Sequence, residues 1–195
     1  MKTKDQNKVK ETNPFVNETT GEILNENGIL YVPGHPKQYR FDGQKGKVNI
    51  NGEEEIGNSI TIIPMAWRIF NEKMFGRDKE GVWAEIFFMD DENCVSSIMF
   101  NNSSARNFES QIYKAFYKKL SLTDCKITIT SDPKSNDKGK YYVALFKIES
   151  APIEKVEALQ QFASTNPIYR MDTIIDENLG FCSPTYGANL MQLSA

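Results

Sequence analysis

The chain has 195 residues, of which 39% are hydrophobic and 25% charged, and its formal net charge is −3. This composition indicates a folded globular protein, and the slight acidity excludes a uniformly basic nucleic-acid coat while leaving room for a local basic patch. No segment approaches the roughly 20 consecutive apolar residues of a membrane span. Three scattered cysteines favour a reducing compartment. We therefore expect a cytoplasmic protein (in the host cytoplasm if the chain is viral) without membrane association.

The first third of the chain is expected to lie outside the main core. Residues 1–28 are predominantly polar and predict a flexible N-terminal arm. Residues 29–58 predict an irregular lead-in with one small hairpin, because FDGQKGKVNING places Asp42-Gly43 and Gly46 at turn positions.

The predicted core covers residues 59–150 and contains five strand patterns and one helix. Pro64 lies inside the first strand, cannot donate to a ladder, and predicts a bend, a bulge or an edge there. Between the third and fourth strands, apolar residues at three- and four-residue steps predict a helix over 101–120. The predicted strands cover 59–70, 82–90, 94–100, 125–130 and 140–149, and the apolar helix face consists of Ala105, Phe108, Ile112, Ala115, Phe116 and Leu120.

Residues 151–195 form a C-terminal extension. Pro152 marks its start, residues 153–164 predict a short helix, and the remainder has no clear period and predicts an irregular tail.

The order of these elements predicts a mainly β fold with helices. One helix between the third and fourth of five strands is the order of a five-stranded OB-fold-like barrel, here with N- and C-terminal extensions. In such a barrel the first strand must bend to serve both halves, and Pro64 offers the place. A half-open sheet with one packed helix, or another small α+β roll, fits the same order.

Catalysis finds little support in the sequence. His35 is the single histidine, three separate cysteines do not give a familiar zinc spacing, and neither a GxxxxGK[ST] nor a GxGxxG pattern occurs. Asp132 and Asp137 could serve a metal-dependent nuclease, but turn-forming aspartates explain them with fewer assumptions. We expect a protein that is not an enzyme and needs no cofactor.

Binding of a single-stranded nucleic acid fits the sequence better. It requires cations that follow the backbone and flat side chains on which bases stack. Residues 106–147 hold nine basic and four acidic residues, a net charge of about +5. Two long polar loops, 71–81 and 131–139, flank the predicted strands. The candidate phosphate ligands are Lys73, Arg77, Lys134, Lys138 and Lys140, and the candidate stacking rings are Trp83 and Phe87.

The two stacking candidates have a second interpretation. Trp83 and Phe87 share one face of a strand with Glu85, whose polarity indicates an outward face. Both faces of this strand are rich in apolar residues, however, and such strands are usually covered on both sides. Two interpretations therefore stay open, one in which Trp83 and Phe87 face a ligand and one in which they belong to the core.

The core resembles bacteriophage-type single-stranded DNA-binding proteins with an OB-fold. The likeness rests on WAEIFFMDDENCVSSIMF, SSARNFESQIYKAFYKKL and ITITSDPKSNDKGKYYVALFKIE, over about residues 59–150. It implies binding of single-stranded DNA without sequence preference, in replication or recombination, with proteins of those processes as partners; self-association is left open. One alternative is a protein-binding or virion-associated β-domain without nucleic-acid binding, and a second is the metal-dependent nuclease.

Overall fold

The computed structural model describes residues 23–24, 28–174 and 180–193. The helices in this part of the chain are α1 (Asn102–Tyr117), α2 (Ile153–Thr165) and α3 (Pro184–Leu193), with 3-10 turns at Leu122–Asp124 and Met171–Thr173. The strands are β1 (Ile23–Leu24), β2 (Leu30–Tyr31), β3 (Lys37–Asp42), β4 (Lys47–Ile50), β5 (Glu54–Gly57), β6 (Ser59–Ile62), β7 (Pro64–Glu72), β8 (Gly81–Met89), β9 (Val95–Asn101), β10 (Cys125–Asn136), β11 (Gly139–Ser150) and β12 (Phe181–Cys182).

A seven-stranded sheet, called here the large sheet, organises the molecule. Its strand order is β12-β7-β8-β9-β3-β4-β5. It joins two antiparallel meanders, β7-β8-β9 and β3-β4-β5, through a parallel pairing of β3 with β9. The segment 29–58, predicted to be a lead-in, therefore supplies three strands of the large sheet.

A three-stranded sheet, called here the small sheet, has the order β11-β10-β6. Strands β6 and β7 follow one another with a break at Ile63, and each belongs to a different sheet. The register also shifts between Pro64 and Ala66. The predicted bend at Pro64 is thus confirmed, because the chain changes sheets at this point.

The prediction of a five-stranded OB-fold-like barrel is wrong. The content is mainly β, and α1 does lie between the third and fourth core strands, but the two sheets do not close into a barrel. Among the described residues β11 pairs with β10 alone, and β3 takes the place beside β9. The strand that prevents closure comes from a segment whose local pattern indicated only a small hairpin.

Helix α1 covers part of the outer edge of β11. The backbone N–H of Ala144 donates to Ser104 Oγ at 3.0 Å, and Asn107 Nδ2 donates to the Ala144 carbonyl at 2.9 Å. Two residues earlier on β11, the Tyr142 N–H donates to the carbonyl of Gly43, in the β3–β4 turn, at 2.7 Å. These bonds satisfy backbone groups that barrel closure would otherwise have paired.

Both faces of the large sheet are buried at its strands β7, β8 and β9. One face packs on α1 and the small sheet through residues such as Ile86, Phe88 and Ile127. The other face packs on the chain's end, where Phe87 and Met65 meet Tyr186 of α3 and other apolar residues. This second layer explains why β8 is apolar on both sides.

The helix predictions are confirmed with small changes of boundary. The prediction over 101–120 corresponds to α1, and the one over 153–164 corresponds to α2. The predicted apolar face is buried as far as Ala115, whereas Phe116 and Leu120, which lies beyond the end of α1, are exposed, against the prediction. None of the helices in the described ranges is long and apolar enough to cross a membrane.

The chain termini are described only in part. The predicted flexible arm, residues 1–28, lies outside the described residues except for 23–24 and Gly28. In the predicted irregular tail, the described residues include the short strand β12 and the helix α3, both packed against β7.

Candidate functional site

The structure brings two of the seven predicted site residues into direct contact. The guanidinium of Arg77 lies over the ring of Trp83, with 4.8 Å between Arg77 Cζ and the ring centroid. Trp83 is only 4% exposed, so Arg77 covers a ring that is otherwise part of the protein interior. Trp83 therefore supports a cation, which is a different role from the predicted stacking platform.

The loop 73–80 presents Arg77 and a second aromatic ring. Met74 is buried beside Trp83 and anchors the loop, and the Trp83 indole N–H donates to the Glu72 carbonyl at 3.1 Å. Phe75 then projects outward with 58% of its surface exposed, edge-on to the Trp83 ring at 5.4 Å between centroids. Its φ of 56° is rare for a bulky residue. Such an unusual backbone conformation is typical of positions held for a function.

A second contact fixes the orientation of Arg77. The Asn101 amide is oriented so that its oxygen accepts from Arg77. This oxygen lies 2.8 Å from Nη1 and 2.8 Å from Nη2 of the guanidinium. A guanidinium carries five N–H donors, so donors remain for a ligand. Stacking and hydrogen bonding together hold Arg77 in place before any ligand arrives.

Arg77, Phe75 and Trp83 form one side of a cleft of about 500 Å³. The cleft lies where the two parallel strands separate. Their last paired positions are Arg40 and Met99, after which β3 turns toward β4 and β9 leads into α1. Its volume is within the range of small-ligand pockets. Several residues that line the cleft are aromatic. Besides Phe75 and Trp83, they are Tyr39, Phe41, Phe100 and Tyr142.

The cleft carries unneutralised positive charge. Arg40 and Arg77 both line it, both are exposed, and neither forms an ion pair with a described carboxylate. Helix α1 begins at the cleft wall, where Ser104 lies in its first turn, and no acidic residue occupies that turn. The positive end of the helix dipole adds to the attraction for an anion.

Arg170 also lines the cleft but is already neutralised. It is buried, its guanidinium forms two hydrogen bonds with the Asp172 carboxylate, and Nη1 lies 3.2 Å from Met99 Sδ. The segment after α2 thus closes one wall of the cleft with a planar, paired guanidinium. This pairing makes Arg170 a wall residue, whereas Arg40 and Arg77 remain available to an anion.

The predicted loop 131–139 is an arm of two paired strands. Strands β10 and β11 pair continuously up to Asn136 and Gly139, with Asp137 and Lys138 at the tip. The long polar connector in the sequence is therefore an extension of the hairpin itself. The arm extends beyond the small sheet, because β6 pairs with β10 only as far as Thr130.

The three lysines of the arm differ in their surroundings. Lys134 forms an ion pair with Asp132 at 2.7 Å, which raises the pKa of its ammonium, and Lys138 is exposed at the tip. Lys140 Nζ lies 5.3 Å from the ring centroid of Tyr142, which lines the cleft. Lys140 thereby links the arm to the cleft, and the predicted residue Lys73 is exposed on the loop 73–80 without lining it.

Phe87 lies on the same strand as Trp83 but away from the cleft. It is 0% exposed and stacks on Tyr186 at 5.6 Å between ring centroids. A fully buried ring has no face to offer to a base, so Phe87 does not take part in this site.

Glu85, whose polarity indicated an outward face, is also buried. Its carboxylate accepts from Arg68 Nε at 3.0 Å and from Thr173 Oγ1 at 3.0 Å. Burial raises the pKa of Glu85, although the charges of Arg68 and Arg170 and the hydrogen bonds from Arg68 and Thr173 act in the opposite direction. The polar side chain on this face therefore fastens the segment after α2 to the sheet.

A cluster of three acidic or thiol groups lies at the other end of β8. Ligand atoms of Asp90, Glu92 and Cys94 are within 4.8 Å of one another. Lys37 already supplies a cation there, with Nζ 3.0 Å from Asp90 Oδ2, and Tyr39 donates to the same oxygen at 3.1 Å. Burial by itself would raise the pKa of Asp90, but donors that include Lys37 and the Cys94 N–H outweigh it, and the pKa is lowered. The ion pair between Lys37 and Asp90 therefore accounts for the cluster as a structural feature.

The suggested nuclease pair is not assembled. Asp132 belongs to β10 and Asp137 to the tip of the arm, five positions further along an extended chain. At about 3.3 Å per residue they are separated by roughly 15 Å, too far to share a metal ion. Asp132 is instead engaged by Lys134.

Several cleft residues could not be identified from the sequence. Arg40 and Phe41 lie in the segment predicted as a lead-in, and Arg170 lies in the predicted tail. The alternation in KQYRFD is a usable strand signal, but nothing local tells which strand it pairs with. Tyr142 lies two residues after the lysine-rich connector. It is the cleft residue that its position in the sequence could have suggested.

Comparison of the chain with protein-family models, with curated proteins and with solved structures finds no match.

Proposed function

We propose that the protein binds single-stranded DNA without sequence preference, with the cleft between β3 and β9 as the main contact and the β10–β11 arm as its extension. The observation that carries the proposal is the pairing of unneutralised guanidinium groups with accessible rings at one site. Arg40 and Arg77 would bind phosphates, while Phe75 and Tyr142 would stack on bases. Replication and recombination are the processes in which such binding would serve.

The chemistry of the cleft favours a nucleic acid over a purely apolar ligand. An apolar ligand would leave two solvated guanidinium groups unused, and a simple anion would leave the rings unused. A nucleotide chain satisfies both, because phosphate accepts from guanidinium groups and every base has a face for stacking. Lys140, beside Tyr142, continues the positive surface toward Lys138 at the tip of the arm.

The test is a titration of labelled oligo-dT, followed by fluorescence anisotropy at several salt concentrations. We expect the wild-type affinity to fall steeply as the salt concentration rises. In the double variant Arg40→Ala/Arg77→Ala, the slope of log K against log salt should decrease in magnitude by about 0.7 for each lost phosphate contact. Arg77→Lys keeps the charge but loses the planar stack on Trp83, so it should bind more weakly than wild type.

Lys155→Ala is the matched control, because Lys155 is an exposed cation on α2 and does not line the cleft. It should leave affinity and slope unchanged. A Trp67→Phe background leaves Trp83 as the single tryptophan reporter, and its fluorescence should change on binding. Absence of binding at low salt, or an Arg40→Ala/Arg77→Ala variant that binds like wild type, would contradict the proposal.

A further inference from the structure

An exposed aromatic surface lies at the C-terminal end of α1, far along the helix from the cleft wall. Phe116 is 72% exposed and Tyr117 is 83% exposed, and their rings contact each other edge-on at 5.8 Å between centroids. Tyr113 stacks on Phe181 of β12 at 6.4 Å, and both are also exposed. These four residues with Leu120 are called here the α1 patch. Contiguous exposed rings of this kind mark interaction surfaces.

Unpaired positive charge lies near the C-terminal end of the α1 patch, whereas at its other end Tyr113 donates to the Glu109 carboxylate, which is paired with Arg106. Lys114, Lys118 and Lys119 are exposed, and none forms an ion pair with a described carboxylate. The surface that fits this patch must therefore combine acidic groups with an apolar side chain.

The chain itself carries such a surface on β5. The sequence GEEEIG places Glu53, Glu54 and Glu55 directly before Ile56, and all four are exposed. Glu55 pairs with Lys47, whereas Glu53 and Glu54 form no ion pair with a described cation. Strand β5 is the last strand of the large sheet, so one of its edges has no partner strand among the residues that the structure describes. These residues are called here the acidic edge.

The sheet order keeps the two surfaces apart within one molecule. Strand β12, which contributes Phe181 to the α1 patch, forms one edge of the large sheet, and β5 forms the opposite edge. The positive aromatic surface and the acidic apolar surface therefore cannot meet within one chain, but they can meet between two copies.

We propose that copies of this chain associate head to tail, with the acidic edge of one copy seated against the α1 patch of the next. Such a contact is heterologous, because it joins two different surfaces, and it repeats along a row of copies. No residue of the α1 patch or of the acidic edge lines the cleft, although Arg40, which does, lies against Gly52 next to the acidic edge.

The experiment is sedimentation velocity on the full chain without nucleic acid, over protein concentrations up to roughly 1 mM. Wild type should self-associate as concentration rises, and less at high salt, because screening weakens the charge contribution. The patch variant Phe116→Ser/Tyr117→Ser and the edge variant Glu53→Lys/Glu54→Lys should each weaken association by at least about tenfold when alone.

Mixing the two variants gives the decisive result. Each variant keeps one intact surface, so a 1:1 mixture should form a dimer that cannot grow further. A patch-to-patch contact would instead leave the edge variant associated and give no such dimer, which overturns the proposal. Wild type that remains a monomer across the whole concentration range overturns it as well.

Two further chains control for folding and for general surface effects. Ile153→Ser removes an exposed apolar side chain at the start of α2, outside both surfaces, and should not alter association. A chain with Lys118→Glu/Lys119→Glu and Glu53→Lys/Glu54→Lys together has both charges reversed and should recover the association that either reversal alone weakens. Failure of that recovery, with both single reversals folded by circular dichroism, contradicts the charge pairing. Binding of oligo-dT by the patch variant would separate this result from the proposed function.

Discussion

The two ends of β8 differ in whether the charged side chains beside them have a partner within the protein. At the end near Met89, Asp90 accepts from Lys37, Tyr39, Ser96 and backbone N–H groups, and Lys37 also pairs with Glu92. At the end near Gly81, the guanidinium of Arg77 rests on Trp83 and forms no ion pair with a described carboxylate. Polar groups that satisfy one another stabilise the fold, whereas cations held in place without a counter-ion are ready for a ligand.

The aromatic residues of this strand differ in the same way. Phe87 is sealed beneath Tyr186, while Trp83 lies under Arg77 and beside the exposed ring of Phe75. The two rings differ in what covers them. Helix α3 packs on Phe87, but it does not cover the cleft that Trp83 lines. Substitutions at the closed end should therefore change stability, and those at the open end should change binding.

The largest effect is expected at the closed end, from Phe87→Ala. Removing a fully buried ring should lower the free energy of unfolding by about 3–5 kcal/mol. The measurement is urea denaturation, and the folded fraction should bind oligo-dT as wild type does. A variant with normal stability and weakened binding would reverse the distinction between the two ends. Ile153→Ala, at an exposed apolar position, is the control and should change stability little.

Asp90→Asn should have the next largest effect and should depend on pH. The lowered pKa means that the Asp90 carboxylate stabilises the fold above its unfolded pKa of about 3.9. This contribution is lost as the pH falls through the lower folded pKa. At pH 7 the amide cannot accept from all the donors around it, and the cost should be about 1–3 kcal/mol.

The check is chemical denaturation of wild type and Asp90→Asn at several pH values. The two should differ at neutral pH and converge as the pH falls below about 4. A constant difference across this range would mean that the charge of Asp90 is not what stabilises this end.

At the open end, Phe75→Gly should separate binding from stability. Loss of one stacked base should weaken oligo-dT binding by roughly tenfold. Glycine accepts the positive φ at this position without steric cost, so the free energy of unfolding should change by less than about 1 kcal/mol. Phe75→Tyr keeps the ring and should retain binding. An affinity unchanged in Phe75→Gly would remove this ring from the site.

The smallest effect is expected on the arm, from Lys138→Ala. Loss of one solvated phosphate contact should lower the salt slope by about 0.7 and weaken binding equally for different sequences. Lys134→Ala should change the slope less, because Lys134 is paired with Asp132, and Lys140→Ala should change it at least as much as Lys138→Ala. A slope unaffected by both Lys138→Ala and Lys140→Ala would confine the binding surface to the cleft.

The sequence by itself determined the elements of the predicted core and the place where the first of them bends. Alternation predicts β8, three- and four-residue steps predict α1, and Pro64 predicts the point at which the chain changes sheets. These properties depend on neighbours along the chain, which a local pattern records. The sequence also singles out Arg77 and the lysines of the arm as candidate phosphate ligands, because two long polar loops carry them.

Only the tertiary structure decided how those elements pair. The parallel pairing of β3 with β9 has no turn to mark it in the sequence, and it replaces barrel closure with a cleft. It also puts Arg40 and Arg77 on the lining of one cleft, and the chain's end covers Phe87 while leaving Phe75 exposed. Contacts between segments far apart in the chain depend on which surfaces bury each other best, and that is settled by the whole molecule at once.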